Sequence, residues 1–363
     1  MPNPQDLLQA KQTLSATLLR AGLRGGIVGM MATLSVDRAV ATAGHNVHAV
    51  GIGRKVVEGV VTNDPCVRIY VVQKIAESLL PPRNRLPESI NGISTDVIES
   101  PPAFILMATR RSRPRRAASK PAMATAAAPC TLDRRKRQRP ICAGISAAHR
   151  DVTAGTIGYF CRSIRHGDDP SHILLLSNNH VFADVNQGRP GDDLYQPGPA
   201  DGGIVGDHFA DLSRFVPIQL GGTSPNRVDA AICRLRPDIS YRAEVCSIGP
   251  VTGTARATEG MRVHKHGRTT GYTEGVVTDE SYDALIGMDH SDPNIVALFE
   301  NQIRIERVDP YPAIGLGGDS GSLVVMQAQA KAVGLYFAGP PGGIYGVANH
   351  MQDVLNELEI ELL

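Results

Sequence analysis

The chain has 363 residues, of which 42% are apolar and 20% are charged, and its formal net charge is +1. These values are ordinary for a globular protein, and the length accommodates one large domain and a smaller unit. No apolar run approaches the ~18 residues of a membrane span, which excludes a protein held in a bilayer by helices. Residues 1–6 lack the basic and apolar parts of a secretory signal, so we expect a cytoplasmic protein.

Six cysteines are scattered through the chain without a Cys-x-x-Cys pair. This spacing is typical neither of a zinc ribbon nor of a dense disulfide framework. The sequence therefore favours buried free thiols at Cys66, Cys130, Cys142, Cys161, Cys233 and Cys246.

Leucines recur at roughly helical spacing in residues 5–21, between Pro4 and Gly22. A proline near the start and a glycine near the end are typical of helix boundaries. We therefore predict an amphipathic helix within an N-terminal helical segment, residues 1–45. The favoured interpretation packs this helix on the domain that follows, and the alternative is a docking helix for a partner.

Residues 46–100 change to short strands separated by helical or turn pieces, which predicts a small α+β accessory domain. The predicted strands cover 47–53, 67–72 and 94–98. The nearby glycines at 51 and 53 do not form a dinucleotide-binding fingerprint, because no helix and third glycine follow at the required place.

Residues 101–140 are predicted to be a basic linker rich in Pro and Ala. Between Arg110 and Arg139 there are eleven lysines and arginines and a single acid, Asp133. This composition disfavours a packed structure, and the favoured interpretation is a solvated tether. A nucleic-acid-binding arm is a second interpretation, although the stretch has no aromatic residue for base stacking. A processing site is a third.

From Ile141 to the C-terminus, short apolar and β-branched strands are interrupted by Gly or Pro, which predicts a pair of all-β barrels. One strand ends in a polar turn at His180, and Asp229 begins another apolar strand. Asp229 lies 49 residues after His180 and 91 residues before Ser320. This spacing suits two consecutive six-stranded antiparallel barrels, and the order His, Asp, Ser is one that catalytic triads adopt.

Ser320 lies in a glycine-rich turn, Gly-Gly-Asp-Ser-Gly-Ser, that precedes a short apolar run. A serine hydroxyl is a poor nucleophile unless a base is aimed at it and backbone N–H groups face the developing oxyanion. The pattern predicts Ser320 as nucleophile, with the N–H groups of Gly318 and Ser320 as oxyanion hole and Asp319 as an inward-facing carboxylate. Taken alone, the stretch is also compatible with a plain surface turn.

With these residues in this order, the region 141–363 resembles a trypsin-like (chymotrypsin-fold) serine protease of the bacterial Gly-Asp-Ser-Gly-Ser type. The resemblance implies His180 as general base, Asp229 as its orienting carboxylate and Ser320 as nucleophile. The phrases Val-Gly-Ile-Gly-x-Lys and Thr-Asp-Val-Ile-Glu in residues 50–99 also resemble an N-terminal module of some bacterial trypsin-like proteins.

Three residues depart from the better-known members of that family. Val181 follows the histidine where the secreted animal branch has a cysteine, so the disulfide beside the histidine cannot form. Ile314 stands six residues before Ser320, where trypsins carry an acid, which implies a preference for small or apolar side chains. Pro140 disfavours cleavage after Arg139, so we favour regulation by the N-terminal module over activation by cleavage.

The predicted strand 333–339 is the one expected to pair with the substrate backbone. With Ile314, its residues Tyr336, Phe337 and Gly339 are candidates to line the specificity pocket, although they suit a hydrophobic core equally well.

His264 and His266 fall on the same face of a predicted strand, which raises the possibility of a metal pair. No carboxylate or cysteine lies at a suitable spacing, so a structural role is favoured and no metal is expected. A helix over 351–358, with an apolar stripe, is predicted to close the chain.

The sequence as a whole predicts a serine endopeptidase that needs no cofactor and acts on protein or peptide substrates by limited intracellular proteolysis. Residues 1–100 are expected to contact a regulatory partner, and nucleic-acid binding by the linker is the less favoured option. The alternative function is a latent or non-catalytic binding or scaffold protein with the same fold.

Overall fold

The computed structural model describes residues 2–21, 46–105, 130–289, 292 and 295–363. Residues 22–45 of the predicted helical segment and 106–129 of the predicted linker lie outside the described residues. No helix in the described ranges combines the length and the apolar character that crossing a bilayer requires.

The described residues form three α-helices. They are α1 (Pro4–Ala21), α2 (Asn179–Phe182) and α3 (Met351–Leu358). The predicted helices at 5–21 and 351–358 are therefore confirmed. The apolar face of α1 packs against the first two strands of the chain, as the favoured interpretation expected.

The strands account for most of the regular structure, in three groups along the chain. The N-terminal group is β1 (Val47–Val57), β2 (Val60–Val71), β3 (Ser89–Ile90), β4 (Ile93–Glu99) and β5 (Phe104–Ile105). The middle group is β6 (Ile141–Ala143), β7 (Ser146–His149), β8 (Gly155–Thr156), β9 (Tyr159–Ser163), β10 (Leu174–Ser177), β11 (Asp193–Tyr195), β12 (His208–Phe215), β13 (Pro225–Asn226), β14 (Ala231–Leu235) and β15 (Tyr241–Val245). The C-terminal group is β16 (Arg262–Gly267), β17 (Gly271–Gly287), β18 (Val296–Arg307), β19 (Leu323–Met326), β20 (Lys331–Gly339), β21 (Tyr345–His350) and β22 (Ile360–Leu362).

These strands build two large barrel-like sheets, which confirms the predicted mainly β fold. Within the described residues, the first sheet has eight strands in the order β22-β9-β10-β14-β12-β11-β7-β8. The second has twelve, with β13-β18-β21-β20-β19-β16-β17-β1-β2-β4-β3 in order and β5 beside β17 and β20. Both sheets therefore exceed the predicted six strands, and β22 in the first sheet and β1–β5 in the second are among the added strands.

The N-terminal strands continue the second sheet directly. β1 runs antiparallel to β17, with Val50 opposite Asp283, and β2 runs antiparallel to β1. The domain boundaries at 46–100 and 141–363 stay a prediction, and the hydrogen-bonded sheet extends across them.

A buried ion pair connects α1 to the second sheet. Lys11 Nζ lies 2.5 Å from Asp283 Oδ1 and also donates to Ser281 Oγ at 3.1 Å. Both charged side chains are almost fully buried. The attraction between the two charges therefore offsets the free energy that each loses when it is removed from water.

We expect Lys11→Ala to destabilise the fold by about 3–5 kcal/mol, because Asp283 would be left buried without its counter-charge. Urea denaturation of the full chain measures the free energy of unfolding. Gln12→Ala, at the neighbouring exposed position of the same helix, is the matched control. Equal stability of the two variants would contradict the prediction.

Cys130 and Cys246 form a disulfide, which corrects the prediction of six free thiols. The two residues are separated by 116 positions, so no local spacing could indicate the pair. Burial raises the pKa of the remaining thiols, which are free as expected. They are Cys66, Cys142, Cys161 and Cys233.

Candidate active site

His180 and Asp229 form a buried hydrogen-bonded pair. β10 ends just before Asn178, and the short helix α2 that follows carries His180 inward. His180 Nδ1 lies 2.5 Å from Asp229 Oδ2, and the His180 N–H donates to Asp229 Oδ1 at 3.2 Å. Asn178 Nδ2 donates to the Asp229 carbonyl at 2.7 Å. These bonds fix the orientation of the imidazole relative to the carboxylate.

A polar chain from the second sheet holds Asp229 in place. The Asp229 N–H donates to Asn349 Oδ1 at 3.1 Å, and Asn349 Nδ2 donates to Gln302 Oε1 at 2.7 Å. Gln302 Nε2 in turn donates to the Arg227 carbonyl at 2.9 Å. The sequence interpretation missed Asn349 and Gln302, since neither lies in a recognisable motif and Asn349 is 120 positions from Asp229.

Ser320 lies in the turn that precedes β19, packed against the end of β10. Its hydroxyl donates to the Phe337 carbonyl at 3.2 Å. His180 Nε2 is buried and has no hydrogen-bond partner among the described residues. The relative exposures of His180, Asp229 and Ser320 are 1%, 0% and 2%. Among the described residues, the Ser320 hydroxyl is therefore bonded to backbone and not to the imidazole.

The turn around Ser320 is clamped by the first sheet. Thr156 Oγ1 donates to the Gly318 carbonyl and the Thr156 N–H to the Ser320 carbonyl, both at 2.9 Å. Gly318 has φ of +94°, a left-handed conformation that favours glycine. Within the described ranges, neither the Gly318 nor the Ser320 N–H donates to an acceptor. Two backbone donors of one turn therefore remain available to an added oxygen.

Asp319 faces inward, as expected, and is surrounded by donors. Its carboxylate accepts the N–H groups of Leu316, Thr269 and Thr270 at 2.8–3.1 Å and lies 3.5 Å from Lys265 Nζ. Burial would raise the pKa of Asp319, but the Lys265 ammonium and these N–H groups outweigh it and hold the pKa below its ordinary value. An internal lysine thus supplies the cation beside Asp319.

The described end of the basic linker is packed on this same region. Arg134 donates from Nε to the Arg268 carbonyl and from Nη2 to the Thr269 carbonyl, both at 2.8 Å. Arg137 forms an ion pair with Asp207 at 3.3 Å. Residues 130–139 therefore contact the folded chain, and the solvated-tether interpretation stays a prediction for 106–129.

Tyr336 fills a space bordered by glycines. A Cβ added at Gly315 would lie 2.6 Å from Tyr336 Cζ, and one added at Gly339 would lie 2.9 Å from its hydroxyl oxygen. Ile314 packs in the same buried cluster as Tyr336. The Tyr336 hydroxyl is buried without a hydrogen-bond partner among the described residues. Tyr336, Gly339 and Ile314 thus lie together.

The side chain of Phe337 lies in a different cluster. Its ring centroid is 4.8 Å from that of Phe299, inside the core that β18, β20 and β21 share. Its backbone carbonyl accepts the Ser320 hydroxyl. The structure thus places the backbone of Phe337 beside the candidate nucleophile and its ring in this buried cluster.

His264 and His266 both have partners other than a metal. His264 Nδ1 lies 3.1 Å from the Tyr272 hydroxyl, and His266 Nδ1 lies 3.1 Å from the Gly144 carbonyl. Burial lowers the pKa of each ring to about 4. Both imidazoles are therefore neutral at pH 7 and tie β16 to its surroundings.

No family model and no curated protein sequence matches this chain. Among solved structures, it is similar to Thermobifida fusca protease A (17% identity, TM-score 0.42) and a Nocardiopsis protease (16%, 0.42). It is also similar to Cellulomonas bogoriensis chymotrypsin (15%, 0.40). Each of these matches covers 61% of this chain and 98% of the other protein.

Proposed function

We propose that this protein is a serine endopeptidase with His180, Asp229 and Ser320 as its catalytic triad. The observation that carries the proposal is the buried His180–Asp229 pair, in which Nδ1 is bonded to the carboxylate and Nε2 has no partner within the described part of the chain. A general base needs that arrangement, because the carboxylate selects the tautomer whose free Nε2 can accept a proton.

The proposed reaction proceeds through an acyl-enzyme. Ser320 Oγ turns from the Phe337 carbonyl toward His180 Nε2, gives up its proton and attacks the scissile carbonyl. The N–H groups of Gly318 and Ser320 stabilise the oxyanion, and His180 returns the proton to the leaving amine. Water then attacks the acyl-enzyme by the same route. Asp229 stabilises the imidazolium throughout, and no cofactor is required.

A latent or non-catalytic protein is the second candidate function. The observation that favours it is that the Ser320 hydroxyl is bonded to backbone and that all three side chains are buried. A latent peptidase would still expose its triad to substrate in a fraction of molecules, whereas a scaffold would not.

Labelling of the full-length protein with a fluorophosphonate, followed by peptide mapping, tests the proposal. The expected result is a covalent adduct on Ser320. An adduct on another serine would contradict the proposal, and an unlabelled protein under native conditions would favour the latent or non-catalytic alternative.

We propose that the glycine-bordered space filled by the Tyr336 ring is the specificity pocket, so the peptidase is expected to prefer small side chains on the acyl side of the cleaved bond. Tyr336→Ala should raise kcat/KM for a leucine or phenylalanine peptide relative to an alanine peptide by about 10- to 100-fold. A set of matched peptides that differ at this one position measures the ratio.

Tyr336→Phe is the matched control, because it keeps the ring and removes only the unpaired hydroxyl. Its preference should stay with small side chains. If Tyr336→Ala keeps the wild-type preference, the ring does not limit the pocket.

A further inference from the structure

A segment of the N-terminal region lies on the strand that ends beside Ser320. β5 runs antiparallel to β20, with Ile105 opposite Ala338 and Phe104 opposite Gly339. On its other side, β5 runs parallel to β17, with Phe104 opposite Gly287. The segment is therefore inserted between two strands of the second sheet.

Hydrogen bonds also anchor the residues that lead into β5. The Pro101 carbonyl accepts the Tyr345 hydroxyl at 2.6 Å, and the Ala103 carbonyl accepts the Gly287 N–H at 3.1 Å. Ala103 and Ile105 are 1% exposed and share a buried cluster with Phe337. Apolar burial and backbone pairing thus both hold the segment in place.

The edge that β5 covers is the one an extended substrate would need. The Phe337 carbonyl, one residue before the β5 pairing begins, is bonded to the Ser320 hydroxyl. Extended peptides bind to sheet edges through main-chain hydrogen bonds. Because β5 is antiparallel to β20, the chain direction from Phe104 to Ile105 leads from Gly339 back toward Phe337. The segment therefore has the direction of a peptide that approaches the nucleophile.

We infer that residues 101–105 are a built-in competitor for the substrate edge, so that an extended peptide binds only in molecules whose β5 has left β20. The inference rests on the proposed peptidase and adds its regulation. It also names the substrate class: an extended peptide with apolar side chains at the two positions that Phe104 and Ile105 hold. The apparent affinity for substrate is then the intrinsic affinity multiplied by the fraction of molecules whose β5 has left β20.

A reversible lock tests this competition in the full chain. The double variant Ile105→Cys with Ala338→Cys places two thiols on directly opposite residues, whose Cα separation of about 4.5–5.5 Å suits a disulfide. The oxidised form should hydrolyse an extended apolar peptide at least about 10-fold more slowly than the reduced form. Wild type treated with the same reductant controls for the Cys130–Cys246 disulfide.

The opposite change should open the edge. Ile105→Asp places a carboxylate in the apolar cluster and should increase the rate of extended-peptide hydrolysis by about 10-fold or more relative to wild type. Ile360→Asp, at a buried isoleucine of β22 in the first sheet, is the matched control and should show no gain. If Ile105→Asp does not fold, the locked variant decides the question.

The outcomes separate the two proposals. Labelling of Ser320 together with equal hydrolysis by the oxidised and reduced forms would overturn the competition and leave the peptidase standing. Absence of labelling in wild type, in the reduced lock and in folded Ile105→Asp would overturn the peptidase, and the competition with it.

Discussion

Ser320→Ala is expected to abolish fluorophosphonate labelling and to lower the rate of peptide hydrolysis by a factor on the order of 10⁴–10⁶. The alanine removes the only atom that can form the acyl-enzyme and leaves the backbone donors of the turn in place. His180→Ala should cost a similar factor, because an unactivated hydroxyl reacts little better than none. Measurements of kcat/KM with one extended peptide would compare these variants.

Asp229→Asn should reduce the rate by about 10⁴-fold, since an amide at this position would select the wrong imidazole tautomer. The losses in double variants should not add, because the three residues act as one unit. Ser240→Ala, at an exposed serine, is the matched control for Ser320→Ala and should retain wild-type activity and labelling. Additive losses in the double variants would contradict a shared mechanism.

Asp319→Asn is expected to destabilise the protein by about 3–5 kcal/mol and to reduce labelling of Ser320. Lys265 would be left buried without its counter-charge, and the turn that carries Ser320 would lose its charged acceptor. Urea denaturation at pH 7 measures the free energy of unfolding. Asp238→Asn, at an exposed carboxylate, is the matched control, with an expected change within about 0.5 kcal/mol.

The same carboxylate predicts a pH dependence with a definite sign. The pKa of Asp319 in the folded protein lies below its ordinary value of 3.8. Its contribution to stability is therefore fully present above pH 3.8 and is lost as the pH falls through the folded-state pKa. The stability difference between wild type and Asp319→Asn should be largest at neutral pH and should shrink in acid. A difference that grows below pH 3.8 would contradict the lowered pKa.

A double-mutant cycle separates the Lys265–Asp319 interaction from the rest of the turn. We expect the double variant Lys265→Met with Asp319→Asn to lose less stability than the two single variants together, because it leaves no unpaired buried charge. If the losses simply add, backbone donors rather than Lys265 stabilise the carboxylate.

Local patterns in the sequence were sufficient for the elements that depend on neighbouring residues. Leucine periodicity predicted α1 and an apolar stripe predicted α3, because a helix aligns residues three and four apart on one face. The glycine-rich turn around Ser320 and the strand end at His180 were visible because glycines and apolar runs in adjacent residues indicate them. The inward orientation of Asp319 was also predicted from its place in that turn. Its partners Lys265 and Thr269 were not predicted.

Only the tertiary structure decided which distant residues meet. Asn349 with Asp229, Lys265 with Asp319 and Cys130 with Cys246 are pairs whose members lie 54 to 120 positions apart. The pairing of β5 with β20 joins residues more than 230 positions apart. No periodic signal encodes such pairs, because the partner is chosen by sheet register and by the burial of charge and apolar surface. The sequence determined which residue types could act at the candidate site, and the fold determined their neighbours and the segment that pairs with β20 beside Ser320.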